Sequence, residues 1–265
     1  MNTYAITGSA SGIGAATRAR LEQAGHHVIG IDLRDAEVVG DLSTPEGRAG
    51  AVAETIEHCN GTLDGLVTAA GIGPPLRGGP IARVNYFGSI AVLEGLRPAL
   101  AAAGAAQVVQ VGSNSATTTP NLPPELVAAF LDGDEERAVE IVARTPEPFD
   151  GSIAYGGAKL AVSRWCRRHA VTDEWVGSGI TLNVIAPGPV QTPLFQAGKD
   201  DADYGPLLEG FPIPTGDPAG PDLIAEWIVF LLSPAARFAC GSVVVVDGGA
   251  DAMIRADAWP DTFTM

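Results

Sequence analysis

Short apolar runs alternate with longer amphipathic stretches from one end of the chain to the other. The runs at 4–6, 27–31, 65–69, 107–111, 180–185 and the all-valine 243–246 read as strands. Between them, residues 45–59, 85–100, 152–175 and 222–232 carry helical spacing, and Ser43-Thr44 with Pro45 marks the start of the first of these. Strands this uniformly apolar are buried on both faces, which is the character of a parallel sheet covered by helices. The pattern predicts one doubly wound α/β domain over residues 1–265, with about seven strands and the ligand at their carboxyl ends.

Two segments interrupt the alternation. Residues 116–151 separate a strand from the long helix by far more than a usual αβ connection. Within this insertion, 124–131 and 134–144 each have the makings of a short helix. Residues 190–216 hold Leu194, Phe195, Leu207, Leu208, Phe211 and Ile213 among many prolines and glycines. So many large apolar side chains suit a lid over a ligand better than a solvent loop.

The turn after the first strand reads Thr7-Gly8-Ser9-Ala10-Ser11-Gly12-Ile13-Gly14. A strand, a glycine-rich turn and a helix present a helix N-terminus to a dinucleotide pyrophosphate, and this makes the domain a Rossmann domain. The second strand ends in Asp32, where a carboxylate can accept hydrogen bonds from the adenosine ribose hydroxyls. The same carboxylate would repel the additional phosphate of NADP, so NAD is the expected cofactor and Arg34 is read as a solvated surface charge.

Composition narrows the partners. A formal net charge of −15 disfavours nucleic acid and anionic membrane surfaces. No apolar run approaches the ~20 residues of a membrane span, and the early first strand leaves no room for a signal peptide. Cys59, Cys166 and Cys240 lack metal-ligand spacing and read as reduced thiols, so no metal is expected and the setting is cytoplasmic.

Tyr155 and Lys159 lie four apart on the long helix and share a face, so an ammonium near the phenol would favour the phenolate and make Tyr155 an acid/base. With this pair the chain resembles the short-chain dehydrogenase/reductase family over nearly its whole length. The resemblance rests on the glycine turn, Asp41-Leu42-Ser43, Ala69-Ala70-Gly71, Val84-Asn85, Gly112-Ser113, Tyr155-Gly156-Gly157-Ala158-Lys159, Pro187-Gly188 with Val190 and Thr192, and Val246-Asp247-Gly248-Gly249. Ala69 stands where the family usually has asparagine.

The resemblance implies catalytic roles for Asn85, Ser113, Tyr155 and Lys159, with Ser115 a rival to Ser113. Ser113 and Tyr155 would bind the substrate oxygen. Lys159 would lower the tyrosine pKa and bind the nicotinamide ribose, and Asn85 would hold a water that relays the proton. It implies cofactor contacts from Gly8, Ser11, Gly12, Ile13, Gly14, Asp32, Leu33, Asp41, Leu42, Ala70, Gly71, Tyr155, Lys159, Pro187, Gly188, Val190 and Thr192, the last fixing the carboxamide.

Finer matches, such as Gly30 to Val38, Val84 to Gly88 and Val246 to Ala252, together with the insertion, are similar to the bacterial 3α-hydroxysteroid dehydrogenase/carbonyl reductase type. That implies a hydrophobic secondary alcohol or ketone as substrate, with a terpenoid, aromatic ketone or cyclic diol as alternatives. Many family members pair through the Tyr-bearing helix, which the insertion would obstruct, so a homodimer through the 222–232 helix and last strand is expected, a tetramer being the alternative. A non-catalytic nucleotide-binding protein is disfavoured by the intact Tyr155, Lys159, Ser113 and Asn85. A nucleotide-sugar epimerase or lyase would be expected to carry a larger C-terminal substrate domain.

Overall fold

The computed structural model describes residues 1–259. Seven strands form one sheet in the order β3-β2-β1-β4-β5-β6-β7. They are β1 (Thr3–Thr7), β2 (His27–Asp32), β3 (Val38–Val39), β4 (Gly65–Thr68), β5 (Gln107–Val111), β6 (Thr181–Pro187) and β7 (Val243–Val246). Every neighbouring pair is parallel. The strand order reverses between β1 and β4, which opens the crevice that a doubly wound sheet offers to a ligand.

Side chains alternate across the pleat and feed two cores. Ala5, Ile29, Leu66 and Val108 face one layer, built on α2 (Pro45–His58), α4 (Ser89–Ala102) and α8 (Asp150–Ala170). Tyr4, Ile6, Val67 and Val109 face the other, built on α1 (Gly12–Gln23) and α11 (Pro221–Leu231). Helices therefore cover both faces, as the strand pattern predicted.

Three differences from the sequence reading have local causes. The short edge strand β3 has too few residues to show a period. The helix expected at 85–100 begins earlier, as α3 (Gly78–Ala82), and runs through a π-helical turn, Arg83–Gly88, into α4. The long helix starts at Asp150, whose carboxylate accepts hydrogen bonds from Gly78 N (3.0 Å) and Arg77 Nε (2.8 Å). It ends at Ala170, and the chain then folds back so that Trp175 packs edge-on against Trp165 at 5.7 Å.

The insertion is a helical layer on α8. After α5 (Ser115–Thr118) come α6 (Pro124–Leu131) and α7 (Glu135–Ala143), close to the expected helices. Phe130 of α6 packs on Tyr86 and Phe87 of the π-helical turn, at 4.9 and 5.7 Å between ring centroids. Glu135 of α7 accepts from buried Arg48 at 2.6 Å. Two glycines permit this layer: a Cβ at Gly156 would lie 2.4 Å from Thr119 Oγ1, and one at Gly157 2.9 Å from Leu126 Cδ2.

A paired substitution tests that constraint. Gly50 in α2 has nothing within 4 Å of a would-be Cβ, so Gly50→Ala should stabilise by about 0.5–1 kcal/mol through helix propensity. Gly156→Ala makes the same propensity gain but overpacks Thr119, at a cost of about 1–3 kcal/mol. Denaturant midpoints should move in opposite directions for the two variants.

Candidate functional site

The chain leaves β1 at Thr7 and turns through Gly8, whose φ of +71° lies in the left-handed region that glycine adopts freely. Gly8 N donates to Ile31 O at 2.8 Å, and Ala70 N donates to Thr7 Oγ1 at 3.0 Å. These bonds join the ends of β1, β2 and β4. A Cβ at Gly8 would lie 2.8 Å from Ala70 N, and one at Gly14 only 2.0 Å from Gly8 O. Both glycines are required by packing as well as by any ligand.

Helix α1 then begins at Gly12 in a form suited to an anion. Its N-cap, Ser11, makes no side-chain capping bond, and its first turn carries no acidic residue. The open N–H groups and the positive end of the helix dipole are left for a pyrophosphate. Asp32 is oriented by Ala10 N at 2.9 Å and Leu33 N at 2.7 Å, one to each carboxylate oxygen. The Ser43 hydroxyl and N–H hold the Asp41 carboxyl below its usual range.

One cleft of about 960 Å³ runs across the carboxyl ends of the strands. Gly8, Ser11, Gly12, Ile13, Gly14, Asp32, Leu33, Asp41, Leu42, Ala70 and Gly71 line its first half. Ser113, Tyr155, Lys159, Pro187, Gly188, Val190 and Thr192 line its centre. The far end is walled by Thr145, Pro146 and Phe149 of the insertion and by Leu194, Phe195, Tyr204, Leu207, Leu208 and Phe211 of the 190–216 segment. That segment folds as α9 (Pro193–Lys199) and α10 (Gly205–Glu209). Its Ile213 lies away from the cleft, beside the Gly248 backbone.

Tyr155 sits where the two halves meet. Burial pushes its phenol up to about 12, and the Ser113 hydroxyl nearby pulls it back down. Ser113 Oγ accepts from Ser115 N at 3.1 Å, which leaves its own proton to donate. Ser115 Oγ is buried without a partner in the cleft wall.

Lys159 is buried on α8, in the cleft wall beside Tyr155. Its Nζ donates to Val111 O at 2.8 Å and lies 5.7 Å from the Tyr155 ring centroid. Burial lowers it to about 8. Desolvation is the largest influence on the Tyr155 phenol.

Asn85 is the one expected residue outside the cleft lining. It is fully buried in the π-helical turn, where Nδ2 donates to Ile72 O at 2.8 Å and Oδ1 accepts from Ile72 N at 2.9 Å. Its amide therefore clamps the segment after β4. A π-helical turn of this kind commonly sits at functional positions. Thr192 caps α9, accepting from Phe195 N at 3.2 Å, and donates to Val190 O.

Sequence reasoning did not single out Ser152, Phe149 or Tyr204, all of which line the cleft. The available signals were Ser152 three residues before Tyr155 and a lone tyrosine in an apolar segment.

Among the described residues, no helix is long and apolar enough to cross a membrane. The profile described as enoyl-(acyl carrier protein) reductase matches residues 141–251. The chain is 42% identical over 256 residues to the 3-alpha-hydroxysteroid dehydrogenase/carbonyl reductase of Comamonas testosteroni, covering 96% of this chain and 98% of that protein. It is 31% identical to the coniferyl-alcohol dehydrogenase of Pseudomonas sp. (strain HR199 / DSM 7063), covering 92% and 94%. Its fold superimposes on the 3-alpha-hydroxysteroid dehydrogenase from Pseudomonas sp. B-0831 complexed with NADH, with a TM-score of 0.91 and 47% identity over 97% of this chain and 100% of that one. A glycine turn open to a pyrophosphate, a buried tyrosine backed by a serine, and likeness along the whole chain converge: the protein belongs to the short-chain dehydrogenase/reductase family of oxidoreductases.

Proposed function

We propose that this enzyme interconverts a hydrophobic secondary alcohol and its ketone with NAD, and that its substrate is a hydroxysteroid or a carbonyl compound of similar bulk. The observation that carries this reading is the placing of Tyr155 and Ser113 between a dinucleotide cleft and an apolar chamber. The glycine turn and uncapped α1 fit a dinucleotide. When bound, its nicotinamide supplies the site that accepts or returns a hydride.

The chain's own residues handle the oxygen and its proton. Ser113 donates to the substrate oxygen, its hydroxyl oriented by Ser115 N. Tyr155 gives a proton to a ketone oxygen or takes one from an alcohol. Lys159 and Thr192 line the cleft where a nicotinamide ribose and carboxamide would bind, and Asn85 fixes the backbone beside them through Ile72. The 190–216 segment acts as a lid whose leucines and phenylalanines exclude water and select apolar substrates.

Cofactor choice follows from charge. The charged side chains among the described lining residues are Asp32, Asp41 and Lys159. Arg34 is outside the lining and exposed, 3.9 Å from Asp35, so no guanidinium answers a phosphate beside Asp32. The names of the two hydroxysteroid dehydrogenases above, one of them complexed with NADH, support both the substrate class and NAD.

Assembly follows from what the insertion covers. With α6 and α7 lying on α8, exposed apolar side chains remain on α11, where Leu223, Trp227 and Phe230 are each 42–49% exposed at helical spacing, and at Val245 of edge strand β7. A homodimer through α11 and β7, working in the cytoplasm with its cysteines reduced, is the arrangement this surface favours.

Purified enzyme should reduce NAD with 3α-hydroxysteroids at a kcat/KM at least comparable with that for small cyclic alcohols. Preference for NAD over NADP should be about a hundredfold or more and should shrink in Asp32→Ala. Light scattering should report a dimer, and Trp227→Glu a monomer.

The pH profiles test Tyr155. With the phenol pushed up to about 12, ketone reduction should stay flat through the moderately alkaline range. Alcohol oxidation needs the phenolate and should climb with pH over the same range. Tyr155→Phe should abolish both directions while still binding NADH.

A further inference from the structure

Gln110 lies on β5 in the middle of the sheet, fully buried, with buried Thr68 beside it on β4. Valine or isoleucine would serve a buried strand as well, so a carboxamide here marks another use. Its partners show what that use is. Thr68 Oγ1 donates to Gln110 Oε1 at 2.5 Å. Gln110 Nε2 donates to Thr68 O at 3.3 Å and to Val111 O at 2.9 Å. The Lys159 ammonium donates to the same Val111 carbonyl at 2.8 Å. That carbonyl lies past the end of the β4 ladder, because Thr68, the last residue of β4, pairs with Gln110. A carbonyl oxygen has two lone pairs, and here one meets the carboxamide and the other the ammonium. Val111 and Lys159 line the cleft, whereas Gln110 lies behind it.

We propose that Gln110 is a positioning residue for Lys159: by occupying the inner side of the Val111 carbonyl, it keeps the ammonium on the side that lines the cofactor cleft. The proposal rests on the reading that Lys159 meets a nicotinamide ribose there. A lysine is a point charge on a flexible stem, and a single carbonyl with both lone pairs open would offer its ammonium two positions. Gln110 removes the inner one. An ammonium has three donors, and with one spent on Val111 the other two stay at the cleft for ribose hydroxyls. Thr68 completes the network by satisfying the carboxamide oxygen, so that no polar atom of Gln110 is left buried and unpaired.

The lysines provide a direct test. Lys159 and Lys199 are the chain's only lysines. Lys159 is buried in α8, and Lys199 is exposed at the end of α9. Protein isotope-labelled at lysine Cε therefore gives one magnetic resonance signal from the site and one internal reference.

Gln110→Met keeps the bulk and drops the donor. In the full-length protein it should shift the Lys159 signal, leave that of Lys199 in place and weaken NADH binding about three- to tenfold. Gln110→Glu, whose carboxylate draws the ammonium inward, should weaken NADH further. Thr68→Val removes a hydroxyl but leaves both Nε2 bonds. It should lower the denaturant midpoint while keeping the parent's Lys159 signal and NADH affinity. An unmoved Lys159 signal in Gln110→Met would overturn the proposal. So would an equal loss of NADH affinity in Thr68→Val, since loosening of the sheet would then explain both. Because the signal needs no cofactor, failure of the underlying reading is distinguishable: the Lys159 signal would shift while NADH affinity stayed at the parent's value.

Discussion

At the reversal of strand order, Gly8 passes so close to the backbone after β4 that any side chain at this position would strike Ala69 and Ala70. Gly14 in turn packs its α-carbon against the Gly8 carbonyl. The close approach brings the start of α1 down onto the carboxyl ends of β1 and β4, so that uncapped N–H groups face the crevice. The location of the cofactor cleft, and through it the place where Tyr155 and Ser113 meet a substrate, depends on these contacts between main-chain atoms. They explain why the turn needs glycine even apart from what it binds.

Within the cleft, desolvation is the dominant electrostatic effect. Tyr155 and Lys159 are both enclosed, and burial moves each toward its neutral form, the phenol up and the ammonium down. Lys159 donates to the Val111 carbonyl, a hydrogen bond that offsets part of the cost of its burial.

The insertion and the lid are additions to a common sheet, and each uses small residues to attach. Gly156 and Gly157, inside the Tyr155–Lys159 turn, allow α5 to α7 to lie on α8, and Gly198 receives the Tyr204 ring. The catalytic helix thus carries function on one face and the insertion on another. Among the side chains that stay exposed are Leu223, Trp227 and Phe230 of α11 and Val245 of β7.

Strand pattern, the glycine turn, Asp32 and the Tyr155–Lys159 spacing are local, and they were legible because period, turn chemistry and helical register depend on near neighbours along the chain. The layered fold, the family and the group of residues around the cleft follow from them. Other features arise between segments distant in sequence. The two-residue β3 exists only through pairing with β2. The π-helical turn places Asn85 on the Ile72 backbone, and the direction of Lys159 is decided by the end of β5. Ser152 and Tyr204, 52 positions apart, line one cleft because the fold brings the 190–216 segment to the same end of the sheet as the start of α8. The sequence by itself determined the sheet, the glycine turn, the family and which groups are candidates for reaction. Which way those groups point, and how far water is excluded from them, was decided by tertiary packing, because orientation and desolvation belong to the assembled surroundings of a side chain.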